Sequence, residues 1–326
     1  MKIFLQKKAL RRIEAALRAT GLPLELLTVD DAGAFELDGA PIERDAVTPD
    51  IAWLSLDIYA ARQVPLLFEV ALKSGTVGWL QSAFAGLDQA AFRQIFDQGV
   101  RLSNSDAQSI AIAEYVIANV LAEWHPVAGQ RQAQREHQWR RLPFRELSRS
   151  NWLIIGFGKI GQEIARRMKP FGARITGIRR NIAPHELADK MAGLTDLPRL
   201  LPAADIVVLA CGLNDGTRDL AGPDFFAAMK PGSFLVNVGR GGLVDEPALI
   251  TALDREAPSL AILDVFRTEP LPVDSPFWDH PRVRLTPHSS SGGDGTLARG
   301  DTLFLANLTR FAAGERLINE VGAHSF

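Results

Sequence analysis

One glycine-rich turn constrains this chain more than any other feature of its sequence. The run NWLIIGFGKIG occupies residues 151–161, and its apolar residues lead directly into Gly156, Gly158 and Gly161. A buried strand that enters a G-x-G-x-x-G turn and opens a helix is typical of dinucleotide-binding units. The first glycine allows the tight turn, the second lets backbone approach a pyrophosphate, and the third permits close packing of helix on strand.

The residues after this turn predict the rest of such a unit. Apolar side chains at helical spacing continue to Phe171, and residues 174–178 have the pattern of a second strand. A pyrophosphate would rest on the amides at the helix N-terminus. We therefore predict cofactor contacts from the three glycines and from Phe157, Lys159 and Ile160. The alternative is a glycine-rich turn with no ligand.

Two arginines, Arg179 and Arg180, follow the second strand. Proteins that prefer NAD usually carry an acidic residue there, to bind the ribose hydroxyls. No acidic residue occurs between Glu163 and Glu186, and guanidinium groups form strong paired hydrogen bonds with phosphate oxygens. The pair predicts NADP(H) as the cofactor, unless both arginines are merely solvated.

Length and element pattern predict two α/β domains. The chain has 326 residues, and short apolar strands alternate with helical patterns through its first hundred residues. Continuous apolar runs at residues 206–210, 234–238 and 260–263 are typical of parallel strands covered on both faces. We expect a substrate domain from residues 1–102 and 290–326, and a dinucleotide-binding domain from residues 103–289. A broad apolar helix at 107–123 is expected to be buried, with a second subunit as one candidate to cover it. A last helix near 296–313 is expected to pack back on the first domain.

Composition excludes several other classes of protein. A formal net charge of −2 gives no reason to expect a nucleic-acid partner, and the basic run 131–149 is interpreted as a solvated crossover. The single cysteine, Cys211, cannot form an internal disulfide, which suits a reducing, cytoplasmic location. The charged start of the chain does not resemble a signal peptide, and no apolar stretch is long enough to span a bilayer. No metal site is predicted.

Three further signatures each place a polar residue just beyond a strand, where open α/β sheets bind ligands. The run NVGRGGLVD carries Arg240, the run LDVFRTEPLP carries Asp264 and Glu269, and the run LTPHSSSG carries His288. At a ligand-binding edge, a cation can stabilise a developing oxyanion and an acid can protonate it. Arg240 and His288 offer these groups, with Glu269 supporting the charged imidazole.

Taken together, the motifs resemble the D-isomer-specific 2-hydroxyacid dehydrogenases over nearly the whole chain. The run WLQSAFAGLD at residues 79–88 resembles the family's substrate-carboxylate loop, and AEY at 113–115 lies on the long helix. The arginine pair and the W-L-Q-S-x-x-A-G pattern are closest to NADPH-dependent glyoxylate/hydroxypyruvate reductase-like members. The resemblance implies an α/β fold with two Rossmann-like, doubly wound parallel sheets: a flavodoxin-like substrate domain and a dinucleotide-binding domain. It also implies a homodimer.

The resemblance assigns a role to each matching residue. Arg240, Glu269 and His288 are the expected catalytic residues, and Arg240 also binds the substrate with Ala85, Gly86 and Trp278. Closure of a cleft between the domains is expected before hydride transfer. Further cofactor contacts are expected from the following residues of the second domain: Cys211, Gly212, Leu213, Thr217, Val238, Gly239, Asp264 and Ser290. For Asp264 a structural cap, and for Trp278 packing on the cleft wall, are open alternatives.

The pattern departs from the family at two places, and other functions stay open. Residues 103–107 lack a glycine that many members carry, and Ser289, Ser290 and Ser291 replace smaller or more apolar residues. One alternative is a cofactor-sensing, corepressor-like interaction protein on the same fold. Another is a formate- or phosphite-type dehydrogenase, which an NADP(H)-preferring site disfavours.

Overall fold

A computed structural model describes residues 1–323, and the chain forms two compact units. The first contains Met1–Gln108 together with the chain from Asp294 onward, and the second is Ser109–Gly293. The chain therefore leaves the first unit once and returns to it. The domain bounds expected above stay a prediction.

The first unit contains, within the described residues, a seven-stranded sheet in the order β4-β3-β2-β1-β5-β6-β7. Its strands are β1 (Lys2–Gln6), β2 (Glu25–Val29), β3 (Phe35–Leu37), β4 (Ala40–Ile42), β5 (Ile51–Leu54), β6 (Trp79–Ser82) and β7 (Arg101–Ser103). Its helices are α1 (Lys7–Ala19), α2 (Leu56–Ala60), α3 (Val64–Lys73), α4 (Ala90–Asp97) and, after the second unit, α11 (Thr296–Ala312). The parallel strands β2-β1-β5-β6-β7 have the order of a flavodoxin-like sheet, which confirms the expected fold of this unit.

Alternate side chains of the central strands enter two cores on opposite faces of this sheet. Ile3 and Leu5 pack with α1 and α11, whereas Phe4 lies in the core on the other face. Both faces are covered, so these strands are apolar throughout instead of alternating with polar residues. The expected last helix is confirmed as α11, and its Phe304 stacks on Trp53 with ring centroids 4.1 Å apart.

The second unit contains, within its described range, a seven-stranded sheet in the order β10-β9-β8-β11-β12-β13-β14, with every pair parallel. Its strands are β8 (Asn151–Ile155), β9 (Arg174–Ile178), β10 (Lys190–Ala192), β11 (Ile206–Leu209), β12 (Phe234–Asn237), β13 (Leu260–Leu263) and β14 (Val283–Leu285). Its helices are α5 (Ser109–Trp124), α6 (Val127–Arg135), α7 (Lys159–Met168), α8 (Leu197–Leu200), α9 (Pro223–Ala228) and α10 (Glu246–Asp254). The order reverses between β8 and β11, as in a dinucleotide-binding sheet, which confirms the second expected fold.

The long apolar helix α5 is buried within its own unit. Val116, Ile117 and Val120 are at most 8% exposed and lie in the core that α7 and the strands also form. The residues of α5 that face outward include Glu114, Ala118 and Ala122. The expectation that α5 is buried is confirmed, and its buried side packs within its own unit. The homodimer stays a prediction.

The segment after α5 is the basic crossover. Arg145 lies over the ring of Trp124, 4.1 Å from its centroid, and also pairs with Asp205 at 2.6 Å. Most other side chains of residues 127–149 are exposed, and Trp139 is fully so. Among the residues that the structure describes, no helix is long and apolar enough to cross a membrane.

Candidate active site

The glycine turn fits the tasks that the sequence predicts for it. Gly156 has φ +97°, and a Cβ atom there would lie 2.4 Å from the amide nitrogen of Cys211. A Cβ at Gly161 would lie 2.6 Å from the carbonyl oxygen of Gly156. Neither position has room for a side chain. β8, β11 and α7 thus meet at the point where the strand order reverses.

Gly158 differs, because a Cβ there would meet nothing within 4 Å. Gly158 is the N-cap residue of α7. The first amides of this helix have no acceptor within the helix, so the helix N-terminus can bind an anion. Phe157 is only 1% exposed and packs edge-on against His185, so its buried side chain supports the glycine turn. Lys159 and Ile160 lie in the first turn of α7.

The arginine pair lies at the carboxyl end of β9. Arg180 is exposed and Arg179 is half-buried, with its Nε donating to the carbonyl oxygen of Asn181 at 2.6 Å. The backbone amides of Gly156 and Phe157 both donate to the carbonyl of Ile178, the residue before the pair. Backbone hydrogen bonds therefore join the strand end that carries the two arginines to the glycine turn.

The loop after β11 lies against the glycine turn, on the side opposite the arginine pair. Thr217 is buried, and its hydroxyl donates to the carbonyl of Gly212 at 2.9 Å and accepts from the amide of Asn214. Leu213 packs where a Cβ of Gly242 would lie. Burial raises the pKa of the Cys211 thiol to about 11, so this sulfur stays protonated near neutral pH.

The Arg240 turn is held from within. Asn237 is 1% exposed; its Nδ2 donates to the carbonyl of Arg240 at 3.0 Å, and its Oδ1 accepts from the amide of Gly239. The Nη1 of Arg240 donates to the carbonyl of Gly239 at 2.8 Å. Val238 is buried, and its amide donates to the carbonyl of Leu209. The backbone that carries the guanidinium is therefore fixed.

Gly241 brings this turn against the segment that carries Glu269. A Cβ at Gly241 would lie 1.9 Å from the carbonyl carbon of Phe266, so the two backbones touch. The amide of Phe266 donates to Oε1 of Glu269 at 2.9 Å. The turn with Arg240 and the turn with Glu269 are therefore immediate neighbours, although 29 positions separate the two residues in sequence.

Glu269 and His288 form a pair, as the sequence predicts. Oε2 of Glu269 lies 2.8 Å from Nδ1 of His288, and the two side chains are 35% and 50% exposed. With one carboxylate oxygen on the Phe266 amide and the other on Nδ1, Glu269 is oriented and in turn orients the imidazole. Nε2 is then the nitrogen available to exchange a proton with a ligand.

Asp264 anchors the loop that presents His288. Its carboxylate is 1% exposed and accepts from the hydroxyl of Thr286 at 2.6 Å, from the amides of Ser289 and Ser290, and from the hydroxyl of Ser290. Its own carbonyl accepts from the amide of His288 at 2.8 Å. His288 has φ +50°, which a non-glycine residue adopts only where its surroundings enforce it. The open alternative of a structural cap thus describes the Asp264 contacts, and the polar atoms of Ser290 are used by the same anchor.

Sequence reasoning missed three members of this arrangement. Asn237, Thr286 and Tyr115 stood in the quoted motifs, but none was assigned a role. The hydroxyl of Tyr115 on α5 extends the Asp264 anchor, because it lies 2.8 Å from that of Thr286. An Asn two residues before a glycine turn is a local signal that could have identified Asn237. Nothing in the sequence pairs Tyr115 with Thr286, which lie 171 residues apart.

Of the remaining predicted substrate residues, Ala85 and Gly86 belong to the first unit and Trp278 to the second. Ala85 and Gly86 are in the loop after β6, where the carbonyl of Ala85 accepts from Nδ2 of Asn104 at 2.8 Å. Trp278 is 48% exposed, and its Nε1 donates to the carbonyl of Pro272. Among residues 1–323, no cluster of three or more His, Cys, Asp or Glu side chains could hold a metal ion.

A dinucleotide fits the carboxyl edge of the second sheet. The glycine turn, the Cys211 loop, the Arg240 turn and the His288 loop all follow the carboxyl ends of parallel strands. Gly158 leaves the space that a pyrophosphate needs, whereas Gly156, Gly161 and Gly241 are closed by backbone. The open position coincides with the helix N-terminus, which is where an anion is stabilised.

Comparison with known proteins gives matches over both units. Residues 117–290 match the model of the D-isomer specific 2-hydroxyacid dehydrogenase NAD binding domain. The chain is 31% identical to the human glyoxylate reductase/hydroxypyruvate reductase over 72% of its own length and 74% of the relative's. It is also 31% identical to a D-3-phosphoglycerate dehydrogenase of Mycobacterium tuberculosis over 91% of its own length, but it spans only 54% of that protein.

Solved structures match the whole chain. One is an NADPH-dependent glyoxylate/hydroxypyruvate reductase from Sinorhizobium meliloti in complex with NADP and sulfate. Its TM-score is 0.78 at 25% sequence identity, and the match covers 99% of this chain and 98% of that one.

Proposed function

The chain belongs to the D-isomer specific 2-hydroxyacid dehydrogenase family, and on that premise we propose that it reduces a small 2-oxo acid with NADPH. Glyoxylate and hydroxypyruvate are the proposed substrates. The observation that carries the proposal is the Glu269–His288 pair at 2.8 Å. The turn that carries Glu269 touches, through its backbone, the turn that carries Arg240. The human and Sinorhizobium relatives, named for reductases of these acids, support the substrate class.

The proposed roles follow from the chemistry of the reduction. When bound, NADPH supplies the hydride for the keto carbon. Arg240 pairs with the substrate carboxylate and stabilises the charge that develops on the keto oxygen. Nε2 of His288 donates the proton to that oxygen, while Glu269 holds Nδ1 and orients the ring. The roles of Ala85 and Gly86 as carboxylate ligands, and of Trp278 at the substrate, stay predictions.

The preference for NADPH is proposed from the edge of β9. Two guanidinium groups stand where an acidic residue would bind the ribose hydroxyls of NAD, and Arg180 is exposed. A charge-assisted hydrogen bond to a phosphate contributes about 1.5–3 kcal/mol, enough for at least roughly tenfold discrimination. The NADP in the Sinorhizobium reductase supports this assignment.

A turnover assay tests the proposal. Purified protein is mixed with NADPH or NADH and with 2-oxo acids of increasing size, and the loss of nicotinamide absorbance is followed. We expect turnover with glyoxylate or hydroxypyruvate and a higher kcat/KM with NADPH. A further arm offers 3-phosphoglycerate with NAD⁺, since phosphoglycerate dehydrogenases are among the relatives. Cofactor binding without turnover of any acid would favour the corepressor-like alternative.

We also propose a homodimer, with the crossover between α6 and β8 as part of its interface. Trp139 is fully exposed and Phe144 is 56% exposed on this crossover. Two large aromatic side chains exposed on one segment offer an apolar surface to a partner subunit. Light scattering coupled to size-exclusion chromatography should give the dimer mass, and Trp139→Ser should weaken the dimer. A monomer at micromolar concentration would contradict this part of the proposal.

A further inference from the structure

A buried glutamine lies at the carboxyl end of β6, beside the loop predicted to hold the substrate carboxylate. Gln81 is 2% exposed, and its Oε1 accepts from the hydroxyl of Ser103 and from Nδ2 of Asn307, both at 2.8 Å. Its Nε2 donates to the carbonyls of Ser82 at 2.9 Å, Asn104 at 3.1 Å and Ser103 at 3.3 Å. Both ends of the side-chain amide are therefore occupied.

Asn307 determines which way this amide faces. It is fully buried on α11, where its Nδ2 donates to Gln81 and to the carbonyl of Ile318, and its Oδ1 accepts from the amide of Ile318 at 2.7 Å. Since Nδ2 can only donate, the atom of Gln81 that faces Asn307 must be the oxygen. The nitrogen of Gln81 is thereby directed at the carbonyls of residues 82, 103 and 104.

Asn104 continues the chain of contacts to the loop. Its carbonyl accepts from Gln81, and its Nδ2 donates to the carbonyl of Ala85 at 2.8 Å. The carbonyl of Phe84 accepts from the amide of Ser105, and the amide of Phe84 donates to the hydroxyl of Ser82. Within residues 1–323 the amides of Ala85 and Gly86 donate to no protein acceptor, and the carbonyls of Phe84 and Ala85 are held by hydrogen bonds.

Burial of two side-chain amides is costly unless all their polar atoms are paired, and paired networks specify one geometry. We propose that Gln81 is a positioning residue for the 2-oxo acid: fixed by Asn307 and Ser103, it holds Asn104, which aims the amides of Ala85 and Gly86 at the substrate carboxylate. This inference rests on the proposed function and adds residues that touch neither substrate nor cofactor.

Two variants test the network at its two ends. Gln81→Leu removes the central amide, and Asn104→Ala removes only the hydrogen bond to Ala85. The contact with a carboxylate is the same in the ground state and the transition state, so its loss raises KM more than it lowers kcat. We expect KM for glyoxylate to rise at least about tenfold in either variant, with kcat within about threefold and the NADPH Kd within about twofold.

Gln63→Leu is the matched control. Gln63 is also buried in the first unit, but its Nε2 donates to the carbonyl of Asp30, and among the described residues it has no hydrogen bond to residues 82–86. Its replacement should leave KM unchanged. The double variant of Gln81 and Asn104 should raise KM little beyond the larger single effect, because both act through one path. Isothermal titration with oxamate, which cannot be reduced, should show the same loss of affinity.

The outcomes separate this inference from the proposed function. An unchanged KM in a folded Asn104→Ala variant, with normal turnover by the wild-type protein, would overturn the positioning role and leave the proposed function intact. An equal rise in KM for Gln63→Leu would assign the effect to general loosening of the unit and overturn the role as well. No turnover by the wild-type protein with any 2-oxo acid would overturn both. If Gln81→Leu does not fold, Asn104→Ala and oxamate binding decide.

Discussion

Two regions at the carboxyl edge of the second sheet are built in opposite ways. The anchored cluster, defined by Asn237, Gly241, Asp264, Glu269 and His288, rests on the hydrogen bonds of the buried Asn237 and Asp264, on the Glu269–His288 pair, and on backbone contacts that admit no side chain. The arginine edge, defined by Arg179 and Arg180, is presented from a strand end with exposed or half-exposed side chains. Groups that transfer a proton need a fixed position, whereas groups that bind a phosphate need chiefly charge and reach. Changes in the first region should therefore affect rate and stability together, and changes in the second only affinity.

The largest effect is expected from His288→Ala. Loss of the proton donor should lower kcat by about 10²–10⁴-fold while NADPH binding is kept, because positioned acid catalysis contributes that factor. Steady-state kinetics and fluorescence titration of NADPH measure the two quantities. His280→Ala is the control, since His280 also faces a carboxylate, that of Asp254, at 3.7 Å in the same unit. Near-normal turnover by the His288 variant would remove its catalytic role.

The next largest effect is expected from Asp264→Ala, which should lower both the stability of the protein and its turnover rate. Removal of the buried carboxylate leaves the hydroxyl of Thr286 and the amides of Ser289 and Ser290 without their acceptor. We expect the free energy of unfolding to fall by about 3 kcal/mol, and turnover to fall as the loop of His288 loses its anchor. Urea denaturation measures the first. Asp274→Ala, at an exposed position of the same unit, should stay within about 0.5 kcal/mol.

Alkylation of Cys211, in the loop after β11, tests whether side chains near the predicted cofactor site are buried as they are in the anchored cluster. Burial raises the pKa of its thiol to about 11, so the folded state keeps the proton and thiolate accumulates only as pH rises toward that value. At pH 8 alkylation should be about 100-fold slower than in the urea-unfolded protein, and it should accelerate up to pH 11. Saturating NADPH should slow it further if Cys211 lies at the cofactor, as the sequence predicts. Equal rates in folded and unfolded protein would contradict the burial.

The smallest effect is expected at the arginine edge. Arg179→Ala combined with Arg180→Ala should weaken NADPH binding roughly tenfold or more and leave NADH binding within about twofold, with unfolding changed by no more than about 0.5 kcal/mol. Arg174→Ala, at the other end of the same strand, is the control. Equal losses for both cofactors would refute the phosphate assignment. A large loss of stability would instead erase the contrast between the two regions.

Much of the fold could be read from local pattern. The strands of five residues or so with continuous apolar side chains were predicted, as were α5, α7 and α11. The strands that were missed, β3, β4, β7 and β10, have only three residues each. A segment that short carries no periodicity, and it becomes a strand only because a neighbouring edge offers it hydrogen bonds.

The sequence by itself determined that Gly156, Gly158 and Gly161 follow a buried strand and that Arg240, Glu269 and His288 each come after a later one, because these are properties of neighbouring residues. Only the tertiary structure decided which distant residues touch without a motif to pair them: Tyr115 with Thr286 across 171 positions, Gly241 with Phe266, and Gln81 with Asn307 across 226. It also decided that the apolar face of α5 is covered within its own unit. The reason is physical. An apolar pattern specifies an element, whereas a hydrogen bond between distant residues depends on sheet order and register, which emerge only when all the elements pack together.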